Sequence, residues 1–110
     1  MCGINGILRL RPDVAPVSRD ELQRTRDHMQ ARGPDGAGEW FSPGRDIALA
    51  NRRLAIIDLS PAGSQPMSWA GERYWIVFNG EIYNYRDLRA ELAWDCPFRS
   101  HLARAAGAVR

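Results

Sequence analysis

The sequence of 110 residues contains no lysine, so its 15 basic residues are all arginine. Residues 1–96 hold 12 of these arginines against all 13 acidic residues, which gives this part a net charge of −1. A domain that binds nucleic acid usually carries a clear excess of positive charge on one face. The main part of the chain has no such excess, and we expect no nucleic-acid partner.

Cysteine is also scarce, since only Cys2 and Cys96 are present and two thiols do not make a disulfide framework. His28 and His101 stand apart from any metal-ligand spacing, so no metal site is expected. The chain has no apolar run of membrane-spanning length, no signal-peptide pattern at its start, and no glycine in the position that myristoylation requires. We therefore expect a cytoplasmic protein without membrane contacts.

The first half of the chain alternates between strand-like and helix-like patterns. The stretch "CGINGILRL" predicts a strand, and "SRDELQRTRDHMQAR" predicts a helix whose N-cap is Ser18, with Glu21 completing a capping box. The glycines of "RGPDGAGEW" predict a shaped loop without regular structure. The stretch "DIALANRRLAIIDLS" predicts two strands with "NRR" between them.

The second half predicts a loop at "PAGSQP" and a strand at "ERYWIVFNG" that ends at Asn79 and Gly80. The stretch "YNYRDLRAELA" predicts a second helix with Asn84 as its cap. No internal repeat or linker is present, and a chain of this length is expected to form at most one domain.

Four stretches could carry chemistry, although each also has a purely structural interpretation. Cys2 in "MCGI" could be a small apolar residue at the start of a strand, and "RGPDG" could be a turn. Arg52 and Arg53 of "RRLAIIDLS" could be surface charges. The Asn-Gly pair of "FNGEIYNY" is a common hairpin signal.

Taken together and in order, these motifs resemble one family. The stretches "MCGI", "ARGPDG", "RRLAIIDLSPAG", "QPM" and "VFNGEIYNYRDLRAEL" are similar to the class II glutamine amidotransferase domain of glutamine-hydrolysing asparagine synthetases, which belongs to the N-terminal-nucleophile hydrolases. The resemblance implies an α+β fold, an αββα sandwich of two antiparallel sheets, of which residues 1–93 would supply an incomplete part. Unpaired strand edges are then expected.

The same resemblance implies that the chain is a glutaminase that releases ammonia from glutamine. Removal of the initiator methionine would give Cys2 a free α-amine, which can serve as the base for its own thiol. The sulfur would attack the glutamine side-chain amide and form a thioester. Asn79 and Gly80 would stabilise the oxyanion, Arg53 would bind the glutamine α-carboxylate, and Glu81 would lie near the substrate amine.

The loop with Arg32, Gly33 and Asp35 would border this site and shape it without taking part in the chemistry. The sequence departs from the family in two places nearby. Ala31 replaces a histidine before the loop, and Ala50-Asn51 replaces a Gly-His pair before the two arginines. Neither departure is expected to affect the hydrolysis of glutamine directly.

The end of the sequence departs more strongly. The family continues through an aspartate that holds the substrate α-ammonium, whereas this chain has no acid after Asp95. We interpret residues 94–110 as a divergent tail, frameshifted or disordered, at the end of a truncated or frameshifted fragment, and expect weak or no activity from the 110 residues. No cofactor is expected in this chain, because ATP and magnesium would belong to a missing synthetase domain.

Three functional hypotheses remain open on the sequence. The first is an active amidotransferase domain, with glutamine as its partner and a second copy of the chain or a synthetase domain as possible associates. The second is a catalytically dead remnant that acts at most as a binding or partner module. The third is an unrelated small β-rich module in which Cys2 is structural.

Overall fold

The computed structural model of the chain describes residues 2–55 and 63–92. The chain divides into two compact units, of which the first comprises Met1–Ala55 and Ser64–Asn79 and the second comprises Ile56–Gly63 and Gly80–Arg110. The divergent tail predicted over residues 94–110 lies outside the described residues.

A three-stranded antiparallel sheet forms the centre of the first unit. Its strands are β1 (Gly3–Leu8), β2 (Gly36–Phe41) and β3 (Ile47–Arg53), in the spatial order β1-β3-β2. The strand predicted at the start of the chain is confirmed. Because β3 lies between the other two strands, its residues from Ala48 to Arg52 pair with both neighbours, and Arg53 pairs with β2.

The prediction that "NRR" separates two strands is wrong, because these three residues continue β3 to its end. Asn51 lies opposite Ile4 on one side and Gly38 on the other, and the pairing continues through Arg53. Hydrogen bonding to two neighbouring strands outweighs the polar composition of this segment. The strand predicted after it falls largely on residues 56–62, outside the described residues.

The loop predicted at "RGPDGAGEW" is wrong in its second part, because β2 begins at Gly36. Glycine usually weakens a strand because it has no side chain to pack, but it is favoured where another backbone approaches closely. A Cβ atom on Gly38 would collide with the backbone carbonyl of Gln65. The glycine in β2 therefore makes room for the segment that crosses the strand.

Helix α1 (Arg19–Asp27) packs against one face of this sheet, as its apolar positions predict. The Ser18 hydroxyl accepts a hydrogen bond from the backbone N–H of Glu21 at 3.5 Å, so the predicted N-cap is confirmed. The helix ends earlier than predicted, and residues 28–32 form turns. Leu22 is fully buried at 0% exposure and forms the core with Val17, Ala48 and Ala50.

The two faces of the sheet are assigned by the alternation of its side chains. The Asn5 side chain donates hydrogen bonds to the Leu22 carbonyl at 3.3 Å and to the Thr25 hydroxyl at 2.8 Å, which places the odd-numbered residues of β1 toward α1. Trp40 of β2 lies on the opposite face, where its ring stacks on Trp75 with centroids 4.7 Å apart.

A hairpin of two short strands, β4 (Met67–Trp69) and β5 (Tyr74–Ile76), belongs to the same unit. The sequence predicted one strand across "ERYWIVFNG" and no β4, so this prediction is wrong in its extent. The strand ends early because the backbone of Phe78 is hydrogen-bonded to the Gln65 side chain. The chain is thus α+β with two antiparallel sheets, whereas the full αββα sandwich stays a prediction.

The second unit contains helix α2 (Tyr85–Leu92). The Asn84 carbonyl accepts hydrogen bonds from the backbone N–H groups of Asp87 and Leu88, both at 3.1 Å. The helix predicted here is therefore confirmed. Neither helix in the part of the chain that the structure describes has the length and apolar character that crossing a membrane requires.

Candidate active site

Cys2 directly precedes β1 and lies beside the end of β3. The backbone N–H of Leu54 donates a hydrogen bond to the Cys2 sulfur at 3.3 Å, and the thiol lies 3.8 Å from the Leu54 carbonyl oxygen. The antiparallel register pairs Gly3 with Arg52, so the chain around Cys2 runs alongside the end of β3 that carries Arg53. The thiol is half-buried, which leaves part of it accessible.

Arg52 and Arg53 are adjacent in β3, and their side chains lie on opposite faces of the sheet. Arg52 faces α1, since its Nε donates to the Gly33 carbonyl at 2.9 Å and its Nη1 lies 3.4 Å from the Asp27 carboxylate. Arg53 instead lines a cavity of about 110 Å³. The alternation of the strand thus separates a structural arginine from one that can contact a ligand.

The loop before β2 is held against the end of β3 by its backbone. The Asp35 N–H donates to the Arg53 carbonyl at 3.0 Å, and the Asp35 carboxylate accepts from the Ala55 N–H at 2.8 Å. Gly33 is buried, and a Cβ atom there would overlap the backbone of Arg52. Arg32 is exposed, and its N–H donates to the Met29 carbonyl at 2.9 Å.

The cavity beside Arg53 is enclosed by β2, the end of β3 and the segment before β4, all within the first unit. Its lining residues are Asp35, Gly36, Ala37, Asn51, Arg53, Ser64 and Gln65. Because the lining contains both a basic residue, Arg53, and an acidic one, Asp35, this small cavity suits a polar ligand.

Asn51 is an unexpected member of this lining. It is only 2% exposed, and its side-chain nitrogen is buried without a hydrogen-bond partner among the residues that the structure describes. An unsatisfied buried donor costs about 1–3 kcal/mol. Asn51 stands where the family has a histidine, and the resemblance gives it no role in the site.

Asn79 ends the first unit and is exposed. The residue before it, Phe78, is held at both of its backbone polar groups by the Gln65 side-chain amide. No hydrogen bond joins Asn79 to Cys2 within residues 2–55 and 63–92. Gly80 and Glu81, which were predicted to join the same site, are exposed residues of the second unit.

A network of charges lies on the α1 side of the sheet. The Arg26 guanidinium binds the Asp27 carboxylate with two hydrogen bonds of 2.8 and 3.0 Å, and it lies 3.3 Å from the Glu39 carboxylate. The hydrogen bond from Arg26, followed by the attraction of Arg26 and Arg52, lowers the pKa of Asp27 although partial desolvation opposes it. The pKa of Arg26 is raised by the same contact.

The described residues contain no group of three or more histidine, cysteine, aspartate or glutamate side chains that could hold a metal ion. In the first unit, Cys2, Arg53 and the loop at Asp35 lie at the same end of the central sheet, and of these Arg53 and Asp35 line the cavity. Gln65 and Asn51 are the two residues of this region whose contribution the sequence did not reveal. In the sequence, Gln65 stands out only as part of the motif "QPM". This motif contributes to the family resemblance but does not indicate which residue Gln65 contacts.

Comparisons with known proteins agree on one kind of domain. A sequence profile described as a glutamine amidotransferase domain matches residues 1–102. The glutamine-hydrolysing asparagine synthetase 1 of Bacillus subtilis (strain 168) is 42% identical over 93 residues, which cover 84% of this chain and 14% of that protein. Asparagine synthetase B of Escherichia coli (strain K12), also glutamine-hydrolysing, is 37% identical over 91 residues, 83% of this chain and 16% of that protein.

A relative with a different name is similarly close. The amidase chry2 of Gibberella zeae is 37% identical over 107 residues, which cover 89% of this chain and 16% of that protein. The chain thus spans about one seventh of the length of the relatives that it matches. No solved structure matches the chain significantly.

Proposed function

Because the chain belongs to the glutamine amidotransferase domain family, we propose that it forms the glutamine-hydrolysing part of an enzyme of the asparagine synthetase type. The observation that carries this proposal is the placement of Cys2 beside the end of β3, where Arg53 lines a cavity of about 110 Å³. A nucleophile and a carboxylate-binding cation at the same end of one sheet suit a small amino-acid substrate. The substrate is glutamine, and ammonia is the product.

The reaction begins at the Cys2 sulfur. Removal of Met1 frees the α-amine of Cys2, which takes the thiol proton as the sulfur attacks the side-chain amide carbon of glutamine. The carbon–nitrogen bond then breaks, the nitrogen leaves as ammonia with the transferred proton, and a thioester remains. Water attacks the thioester, releases glutamate and restores the thiol.

Charge develops on the amide oxygen during both attacks. Donors that already point at this oxygen lower the barrier because they need no rearrangement at that moment. The Asn79 side chain and the backbone N–H of Gly80 take this role. The glycine allows the backbone to come close to the substrate.

Recognition of the substrate depends on its two charged groups. Arg53 binds the α-carboxylate, since a planar guanidinium matches a carboxylate with two parallel hydrogen bonds. Glu81 lies near the α-ammonium. The loop with Gly33 and Asp35 supports this arrangement through the backbone of β3.

In the proposed enzyme, the ammonia is used by a part of the protein that this chain does not contain. The two bacterial relatives described above are named as asparagine synthetases, and most of their length lies outside the matched segment. In the proposed enzyme, residues 1–93 are part of an αββα amidotransferase domain, and any ATP and magnesium chemistry belongs to a separate synthetase domain.

Covalent labelling of the thiol tests the proposal. Intact-mass analysis is expected to show loss of Met1, and a glutamine-analogue electrophile is expected to label Cys2 and not Cys96. The control is Cys2→Ser, which should not react. Retained methionine together with equal labelling of both thiols would contradict the mechanism, and glutamine binding without glutamate release would favour a binding module instead.

A further inference from the structure

Gln65 makes the most specific side-chain contact near the candidate site that the proposed mechanism leaves unused. Its Nε2 donates to the Phe78 carbonyl at 2.9 Å, and its Oε1 accepts from the Phe78 N–H at 2.5 Å. One side-chain amide therefore satisfies both backbone groups of one residue. A neighbouring antiparallel strand would make the same pair of bonds, so Gln65 replaces the strand partner that this position lacks.

The backbone of Gln65 is itself fixed on the central sheet. Its carbonyl passes so close to Gly38 that no side chain could be accommodated there, and the Pro66 ring follows against the same glycine. The hairpin that connects Gln65 to Phe78 is attached to the same strand, because Trp75 stacks on Trp40 with an interplanar angle of 21°. The segment from Gln65 to Phe78 is thus held to β2 at its beginning and near its end.

The position of Phe78 in the chain gives this contact a functional meaning. Phe78 is followed directly by Asn79, the proposed oxyanion donor, and β5 has already ended at Ile76. Residues 77–79 lie beyond the strand ladder, and among the described residues their one tertiary hydrogen-bonded attachment is to the Gln65 side-chain amide. Gln65 also lines the cavity with Arg53, so one residue touches both parts of the candidate site.

We infer that Gln65 is a positioning residue that fixes the backbone at Phe78 and thereby the Asn79 side chain. This inference rests on the proposed function, because it assigns Gln65 an effect through Asn79. Gln65 does not contact the reacting atoms in this role. Donors of an oxyanion site must be held within a fraction of an ångström, and misplacement by about 1 Å can cost roughly 100-fold in rate.

A double-mutant cycle separates this role from a general effect on stability. In a version of the protein extended through the family segment that carries the aspartate, Gln65→Leu removes both hydrogen bonds at nearly constant size. It is expected to lower kcat for glutamine hydrolysis about 10- to 100-fold with a much smaller change in KM. In the Asn79→Ala background the same substitution should cost less than about threefold, because its effect passes through Asn79. Equal losses in both backgrounds would overturn the inference.

A matched control is available on the other side of the sheet. Gln23 of α1 donates to the Glu39 carboxylate at 2.9 Å, so Gln23→Leu removes one glutamine hydrogen bond away from the site. It should leave kcat within about twofold. If Gln65→Leu does not fold, Gln65→Glu keeps the size and the acceptor for the Phe78 N–H, and its cycle with Asn79→Ala decides the question in the same way.

Hydrogen exchange provides a readout that does not depend on activity. In the full 110-residue chain, the Phe78 N–H is expected to be protected, and Gln65→Leu should reduce this protection about tenfold or more while Gln23→Leu leaves it unchanged. Unchanged protection of Phe78 in Gln65→Leu would overturn the inference. A different result would overturn the proposed function and not this inference: Gln65→Leu loses the protection of the Phe78 N–H, but Cys2 of the unsubstituted chain does not react with the glutamine analogue.

Discussion

The sulfur of Cys2 accepts a hydrogen bond from the backbone N–H of Leu54 at 3.3 Å, and Leu54 is the residue that follows Arg53. The contact joins residues 52 positions apart in the sequence. It follows from the antiparallel pairing of β1 with β3, which carries the start of the chain past the end of β3. The proposed nucleophile and the proposed carboxylate ligand are therefore placed by the same strand pairing.

In a version of the protein extended through the family segment that carries the aspartate, Arg53→Lys is expected to raise KM for glutamine about tenfold or more with a smaller change in kcat. A lysine ammonium is a point charge and does not reproduce the two parallel hydrogen bonds of a guanidinium. Steady-state kinetics of glutamate release measures both constants. Arg52→Lys is the matched control, because Arg52 faces α1, and its KM should stay close to that of the wild type. A larger effect from Arg52 would contradict the assignment.

In a version of the protein extended through the family segment that carries the aspartate, Asn79→Ala should reduce kcat for glutamine hydrolysis about 10²–10³-fold by removing an oxyanion donor. Glutamine binding should change much less. Single-turnover measurement of glutamate release together with equilibrium binding of glutamine separates the two effects. Asn84→Ala serves as a control, since Asn84 precedes α2 and contributes its backbone carbonyl to the helix start. A loss below threefold for Asn79→Ala would show that this side chain is not the donor.

Leu22→Ala is expected to lower the free energy of unfolding by about 2–5 kcal/mol, because Leu22 is fully buried between α1 and the sheet. Chemical denaturation followed by circular dichroism measures the change. Leu10→Ala is the matched control, since Leu10 is 83% exposed and the same substitution there should change stability by less than about 0.5 kcal/mol. Equal effects at the two positions would contradict the packing.

Asp27→Asn should reduce stability at neutral pH and have little effect in strong acid. The Arg26 hydrogen bond lowers the pKa of Asp27 from its ordinary value of 3.8, so its contribution is complete above that value and is lost as pH falls through the lower pKa of the folded state. Unfolding curves at pH 7 and near pH 2 should therefore differ in their response to the substitution.

Asp13→Asn is the control for that measurement. Asp13 lies 3.7 Å from Arg11, and both side chains are more than two-thirds exposed, so this ion pair should contribute little at either pH. If Asp27→Asn destabilises the chain equally at both pH values, the carboxylate does not act through its charge.

The sequence by itself determined the first strand, the two helices and the family. The Ser18 cap and the apolar positions of α1 predicted a helix that the structure confirms, because capping and periodicity act over a few residues. The order of five motifs predicted a glutamine amidotransferase domain related to asparagine synthetases, which the comparisons confirm. The roles of Cys2, Asn79 and Arg53 follow from that resemblance and stay predictions.

Only the tertiary structure decided which polar residues lie in strands and which side chains share a cavity. Asn51 and Arg52 are in β3 because two neighbouring strands pair with them, and Arg53 continues the strand by pairing with β2. No local signal in "NRR" indicates this. The place of Gln65 was equally hidden, since its hydrogen bonds reach a residue 13 positions later in the chain. Local propensity acts within a few residues, whereas strand pairing and close backbone approach depend on segments that meet only in the folded chain.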